Sequence, residues 1–279
     1  MKSPDRNQGK ITMKNAVRAV ASTLCVLPLY AVAQSNNPWD NQFGISIGVM
    51  NADATTNVRL DSNNGRVGTS LSFEGDLNGE ERKAIPELGF FWRFNPRHAM
   101  EGSLVSLKRD GSRVLSGTVN WGDVTFPVNT AVNSSFDSTI ARLAYRWSPW
   151  HDASGEFGFL FGLHYTDMKT SITSATGTIS QEASVKYPLP TIGVRGNMRI
   201  ADNWRLNGFG QFLKLKIGDY DGGLYNFGAG IEWAFTHEMI GGLGYDYYKY
   251  ELTSSKDRAK GEFDYRFDGP KLYFGWTFR

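Results

Sequence analysis

The sequence predicts an all-β protein: an up-and-down antiparallel transmembrane β-barrel of about ten strands, with short turns at one end and long loops at the other. Three observations predict it. Large apolar residues alternate with small or polar ones at period two along most of the chain, and helical periodicity is nowhere sustained. The connections between these stretches are short and long by turns. No run after residue 33 approaches the roughly 18 apolar residues of a membrane helix, so a membrane signal has to lie in the alternation itself.

Residues 1–33 read as a signal peptide. Lys14 and Arg18 give a basic start, Ala19 to Val32 form an apolar stretch, and Ala31-Val32-Ala33 makes an A-x-A cleavage site before Gln34. Met13 offers an alternative start. Residues 34–42 are then a short periplasmic segment and residues 43–279 the barrel. The only cysteine, Cys25, falls inside the leader, which excludes a disulfide scaffold and a thiolate metal site in the exported part. The net charge of +2 is carried by the leader, and nothing suggests a nucleic-acid surface.

The strands follow in order. The first carries Phe43, Ile45, Ile47 and Val49, and the second Leu88, Phe90, Trp92 and Phe94. A weaker one spans Ala99 to Lys108. Then come Ala141-Leu143-Tyr145-Trp147, Phe157-Phe159-Phe161-Leu163-Tyr165 and Ile192-Val194-Gly196-Met198-Ile200. Trp204-Leu206-Gly208-Gly210-Phe212, Tyr225 to Phe235, and Leu243-Tyr245-Tyr247 precede the closing Leu272-Phe274-Trp276-Phe278. Eight strands result if the first and the Ala99 strand fail to form. Twelve result if Val119 to Val128 makes a membrane hairpin.

Short turns are expected at Asn95 to His98, Ser148 to Ser154, Ala201 to Asn203 and Thr236 to Glu238. Long loops are expected at 51–86, 109–135, 169–188 and 253–268, with only Gly218 to Gly223 breaking the long class. Short periplasmic turns, long extracellular loops and periplasmic termini describe an outer-membrane barrel. Trp92, Trp147, Trp204, Trp233 and Trp276 lie near strand ends as a lipid-facing girdle. The opposite parity collects glycines and charges. A soluble sandwich uses the same alternation with its apolar face inside; aromatics on nearly every strand and the leader favour lipid.

The pattern resembles the small bacterial outer-membrane β-barrels. In that family the last strand carries alternating hydrophobics and a terminal aromatic read by the barrel-assembly machinery. Leu272, Phe274, Trp276 and Phe278 match this signal, although Arg279 follows Phe278. Leu71 to Leu77, Phe90 to His98, Gly122 to Val128, Gly218 to Gly222 and Glu262 to Pro270 resemble a proteobacterial barrel family of unassigned activity. The resemblance implies fold and location and says little about chemistry.

The inward charges are the most informative polar set: Arg93, Glu101, Arg142, Arg146, Arg195, Arg199, Arg205, Glu232 and Asp246. A barrel of this width is filled by side chains, and charges inside it have to be paired or hydrated. Arginines outnumber the nearby carboxylates, so a salt-bridged plug and a narrow anion-preferring channel are both open. His164 shares the inward parity, whereas Asp167 beside it does not, and no serine can be placed within its reach. Lipid A deacylases and phospholipases use His and Ser facing the lipid, which His164 does not match. Outer-membrane proteases pair aspartates with a histidine at the outer rim; Asp219 and Asp221 have no such histidine near them in sequence.

Lys214 and Lys216 follow the outward parity beyond the aromatic-bounded span, where they could meet lipopolysaccharide phosphates. No cofactor or metal is expected, because the loop aspartates lack calcium-loop spacing. The expectation is a non-enzymatic, monomeric outer-membrane barrel with a structural or surface-interaction role, presenting the 51–86 and 109–135 loops outside. Its partners would be membrane lipid, lipopolysaccharide and the assembly machinery. The alternatives are the channel and, behind it, a lipid hydrolase.

Overall fold

The computed structural model describes residues 38–255 and 260–279, so the expected signal peptide at 1–33 lies outside the described residues. A 3-10 turn, Pro38–Asp40, leads into β1 (Phe43–Leu60). There follow β2 (Leu71–Ser72), β3 (Arg82–Asn95), β4 (His98–Val114), β5 (Val119–Trp121) and β6 (Val124–Phe126). β7 (Ala131–His151), β8 (Gly155–Ser174), β9 (Ser180–Ala201) and β10 (Trp204–Ile217) come next. β11 (Tyr220–Ala234), β12 (Met239–Ser254) and β13 (Gly261–Phe278) complete the chain. Leaving aside β2, β5 and β6, ten long strands pair antiparallel in sequence order. The first and last strands close the ring, in register from Phe43↔Phe278 to Leu60↔Gly261. Closure leaves no sheet edge along the lipid-facing belt.

The periplasmic turns are held by their own side chains. Asn95 Oδ1 accepts the Arg97 amide at 3.1 Å, Asp152 Oδ1 accepts that of Ser154 at 2.7 Å, and Thr236 Oγ1 accepts that of Met239 at 3.0 Å. Such Asx and Ser/Thr turns are what these residues favour. At the other end β10 and β11 are joined by two residues, with Gly218 at φ 55°, a left-handed conformation suited to glycine.

Nearly half of 51–86 and most of 109–135, 169–188 and 253–268 is strand. β1 runs on to Leu60, β4 to Val114 and β8 to Ser174, while β3, β7, β9 and β13 begin at Arg82, Ala131, Ser180 and Gly261. A membrane crossing takes about 9 to 11 residues of strand, so the barrel wall stands well beyond the bilayer. The reason the extensions read as loops is visible in β13. Its outward residues run Asp264, Arg266, Asp268 and then Leu272, Phe274, Trp276, Phe278. Its inward residues run Phe263, Tyr265, Phe267 and then Lys271, Tyr273. Parity never slips; the apolar set changes face where the strand leaves lipid. β1 and β8 do the same, with Met50, Ala52, Ala54 and Val58, and with Met168 and Ile172, buried inside.

Two ladders stop short. β3 and β4 pair only as far as Glu87↔Val105, with Pro86 next in line, and β9 and β10 only as far as Phe212↔Ile192, with Pro190 and Pro188 beyond. Proline has no N–H to give a ladder. The first parting is filled by residues 71–81: β2 pairs with β1, Phe73 N donates to Thr56 O at 2.9 Å, and Glu80 N donates to Asp110 O at 3.2 Å. Gly79 and Gly111 form a bridge there. A Cβ on Gly111 would stand 2.6 Å from Leu77 O, so only glycine lets the segment lie against β4. Val119 to Phe126 is a separate two-stranded hairpin, not a pair of membrane strands.

Candidate functional site in the barrel lumen

The lumen has two storeys. In the periplasmic storey inward charges from nine strands meet. Glu101 on β4 is buried and stands 3.1 Å from Arg142, 3.3 Å from Arg146 and 3.5 Å from Arg195. Glu156 at the start of β8 receives Arg93 at 2.7 Å, Arg146 at 3.2 Å and the Ser148 hydroxyl. Glu232 pairs with Arg205 and accepts the Tyr273 hydroxyl at 2.7 Å. Lys271 bridges Asp246 and Glu87, the latter at 3.2 Å. Arg142 also donates to Gln211 at 2.8 Å, and Gln211 donates to Thr191 at 3.1 Å. The Arg142 and Arg195 guanidinium carbons stand 5.2 and 5.8 Å from the Phe209 ring centre. Most of these side chains, Glu101, Arg142, Arg195, Glu232 and Lys271 among them, border a cavity of about 200 Å³. Below it Trp39 lies 4.3 Å from the Arg205 guanidinium and Asn41 donates to His237 O at 2.6 Å, so the N-terminal segment crosses the periplasmic mouth.

The extracellular storey is an aromatic core. Phe136 lies 4.9 Å from Tyr265 and 6.0 Å from both Phe73 and Phe263, measured between ring centres. Tyr248, Tyr250 and Phe267 extend the cluster, and Leu71, Leu77, Leu115, Trp121 and Phe126 bring in the two long connections. Those connections are therefore not simply presented outside; their apolar side chains fold into the barrel. The pin is Arg109, 0% exposed, whose guanidinium sits 5.0 Å from the centres of both Phe73 and Phe136. It pairs with Glu74 and donates to Thr56 and, at 3.1 Å, to Glu80 O. The hairpin is tied down in turn by Asp123, which accepts the Ser62 hydroxyl at 2.6 Å and the Asn63 amide at 2.9 Å. Those hydrogen bonds, Ser62 first, hold the Asp123 carboxyl below its ordinary pKa.

His164 sits between the storeys, fully buried, facing Tyr248 at 6.2 Å, with no hydrogen-bond partner on either ring nitrogen. Asp167 points outward to Lys186 at 2.8 Å and is no partner for it. Arg199 lies at the periplasmic mouth in a recess with His151 and Asp152, away from the Glu101 cluster. Trp92, Trp147, Trp204, Trp233 and Trp276 all face outward near the periplasmic ends of their strands and are 37–52% exposed. Trp204 stacks on Trp233 at 5.6 Å and 8°. Tyr165 and Tyr245 are exposed toward the other end. Lys214 and Lys216 are exposed on the outward face, the latter 3.7 Å from Asp221. In the final strand Leu272, Phe274, Trp276 and Phe278 face outward, and Phe278 stacks on Phe43 at 6.2 Å.

Sequence reasoning missed Glu156, Lys271 and Arg109. Glu156 has the inward parity of Gly158 and Gly162 but was cut off by starting that strand at Phe157. With Glu156, Glu87 and Lys271 counted, seven cations face five carboxylates, so the expected excess of positive charge narrows from three to two. Arg109 lies in a stretch read as loop, and no local signal distinguishes it from the other polar residues there.

A closed ring of ten tilted strands with an apolar belt and a polar interior admits one class of architecture. The fold is that of a bacterial outer-membrane β-barrel. It is similar to the outer membrane protease OmpT from Escherichia coli, with a TM-score of 0.60 and 12% identity over 88% of this chain and 99% of that one. Looser likenesses include Ail, the attachment invasion locus protein of Yersinia pestis (TM-score 0.39, 15% identity, 85% and 99% covered). Another is the translocator domain of autotransporter NalP from Neisseria meningitidis (0.42, 10%, 95% and 94%). No family model and no curated protein sequence matches the chain. Fold and apolar belt together place the protein in the bacterial outer membrane.

Proposed function

We propose that the protein is a closed, non-conducting outer-membrane barrel with a structural or surface-interaction role, its working surface being the extracellular end. The observation that carries this reading is the aromatic core across the barrel above the lipid belt, where Phe136 and Tyr265 are 0% exposed and Trp121 1%. Ions crossing the lumen would have to displace it. The lumen arginines, which support the anion-channel alternative, already face Glu101, Glu156 and Glu232 within 3.5 Å, so an anion entering would compete with carboxylates in place. Single-channel recording in planar bilayers tests the proposal. No stable conductance is expected, and a steady anion-selective conductance would overturn it in favour of the channel.

The protein acts without catalysis in this reading. The lipid-hydrolase alternative rests on His164, whose neighbours are Arg142, Gln211 and Tyr248 and which has no hydrogen-bonded serine or carboxylate among the described residues. Lipid A or phospholipid hydrolysis lost in His164→Ala would establish that alternative. The partners we assign are outer-membrane lipid and lipopolysaccharide, the latter through Lys214 and Lys216, with the final strand read by the barrel-assembly machinery and the barrel working as a monomer.

A further inference from the structure

Counter-charge in the lumen is shared unevenly. Of the seven cations set against five carboxylates, Arg199 stands apart at the mouth, in a recess that also holds Asp40 and Asp152. Six cations and five carboxylates are left around the cavity, one positive charge in excess among the described residues. The excess can be placed. Arg93 has Glu156, Arg205 has Glu232, and Lys271 has both Asp246 and Glu87. Arg146 is divided between Glu101 and Glu156. Arg142 meets Glu101 Oε1 at 3.1 Å, and Arg195 reaches the same oxygen only at 3.5 Å. Arg195 is therefore the third guanidinium on one carboxylate, and the cation whose charge is least answered.

Spare hydrogen-bond donors share that cavity. A neutral imidazole carries one N–H donor, yet neither ring nitrogen of His164 has a partner, although the ring is fully buried and borders the cavity. Asn226 borders the same space, and its amide enters no hydrogen bond among the described residues. Arg142 and Arg195 both lie over the Phe209 ring in the cavity wall. Water in the cavity would satisfy the donors and leave the charge, and an uncompensated buried charge is strongly unfavourable. The space lies between the aromatic core above and Trp39 and Asn41 below, so whatever answers the charge has to be small.

We propose that the lumen cavity holds one small monovalent anion of the halide class, bound by Arg195 and Arg142, with His164 and Asn226 completing its donors. Hydrogen bonds from charged donors are the strong ones, and two guanidiniums supply them here. The anion is a fixed counter-ion and not a permeant one. It balances the lumen charge and, through His164 and its neighbour Tyr248, ties the charge network to the foot of the aromatic core. Its residence rests on the closed lumen proposed above; its binding residues do not.

Equilibrium dialysis of the full chain, folded in dodecyl maltoside, against radiochloride with gluconate as the bulk anion tests the site. About one chloride per chain is expected, matching the single charge in excess. Arg195→Gln leaves as many carboxylates as cations around the cavity, and Asn226→Asp adds a carboxylate while every cation stays. Each should lower bound chloride about fivefold or more in protein that keeps its heat-modifiable gel mobility. Arg82→Gln, which removes a 77% exposed cation from the outside of the wall, should leave it unchanged. No bound chloride in the parent protein, or chloride that survives either lumen substitution, overturns the proposal. Planar-bilayer recording keeps the two readings apart. A conducting barrel that still loses chloride in Arg195→Gln overturns closure and leaves the site standing, whereas a silent barrel without bound chloride overturns the site alone.

Discussion

The two storeys of the lumen are lined by the same face of the same strands, yet one is a charge network and the other an aromatic core. On β13 the change takes place between Phe267 and Lys271. The difference lies in the medium outside the wall. Where that medium is hydrocarbon, the apolar side chains must face out, and the interior is left to polar groups that satisfy one another. Where it is water, the wall behaves as an ordinary β-barrel, with apolar groups inside and charge outside. A single alternating pattern thus encodes both, and the face it favours reports the solvent.

Four experiments break or sharpen this contrast. The largest effect is expected from Glu101→Gln, which leaves Arg142, Arg146 and Arg195 without their shared counter-charge. Breaking a buried pair costs about 3 to 5 kcal/mol, and we expect the upper part of that range in urea unfolding from lipid vesicles. Phe136→Ala empties the centre of the aromatic core and should cost about 3 to 4 kcal/mol. Hydrogen exchange should rise in residues 131–140 and 263–267 while the belt strands stay protected. Equal loosening of both storeys would mean that they do not behave as separate units.

Leu143→Arg and Thr139→Arg compare two outward positions on β7, both exposed. An arginine in hydrocarbon costs about 2 to 4 kcal/mol at the midplane and little near the interface. The first substitution should destabilise and the second should not, and similar losses would move the membrane boundary we assign. The smallest effect concerns Asp123. Its pKa is depressed, so the stability it contributes is present above the ordinary carboxylate range and lost as pH falls through its folded value. Protection of the Asn63 and Thr69 amides, measured relative to the intrinsic exchange rate at each pH, should therefore fall on acidification, and Asp123→Asn should flatten that dependence.

The belt was legible in the sequence because lipid imposes a strict rule on one face. All ten long strands, including the weak ones from Phe43 and Ala99, stand where alternation placed them. The extracellular storey was not legible, for a physical reason. Its inward positions include Ala52, Ala54, Thr56, Thr166 and Thr170, small residues set opposite aromatics from distant strands. Each strand alone therefore looks polar, and the core exists only as the sum of strands far apart in sequence. The same holds for the lumen ions. Parity put Glu101 and Arg142 on one face, but only the ring's closure brings Arg195 to the same carboxylate.

That closure has a consequence in time. The aromatic core takes Met50, Ala54 and Val58 from the first strand and Phe263, Tyr265 and Phe267 from the last. Until those two strands meet, the sheet is an open ribbon with half a core on each border, and neither half can shed its water. Sealing the ring and drying the core are then the same event, because the seam that closes the wall is also the seam that joins the two halves of its interior.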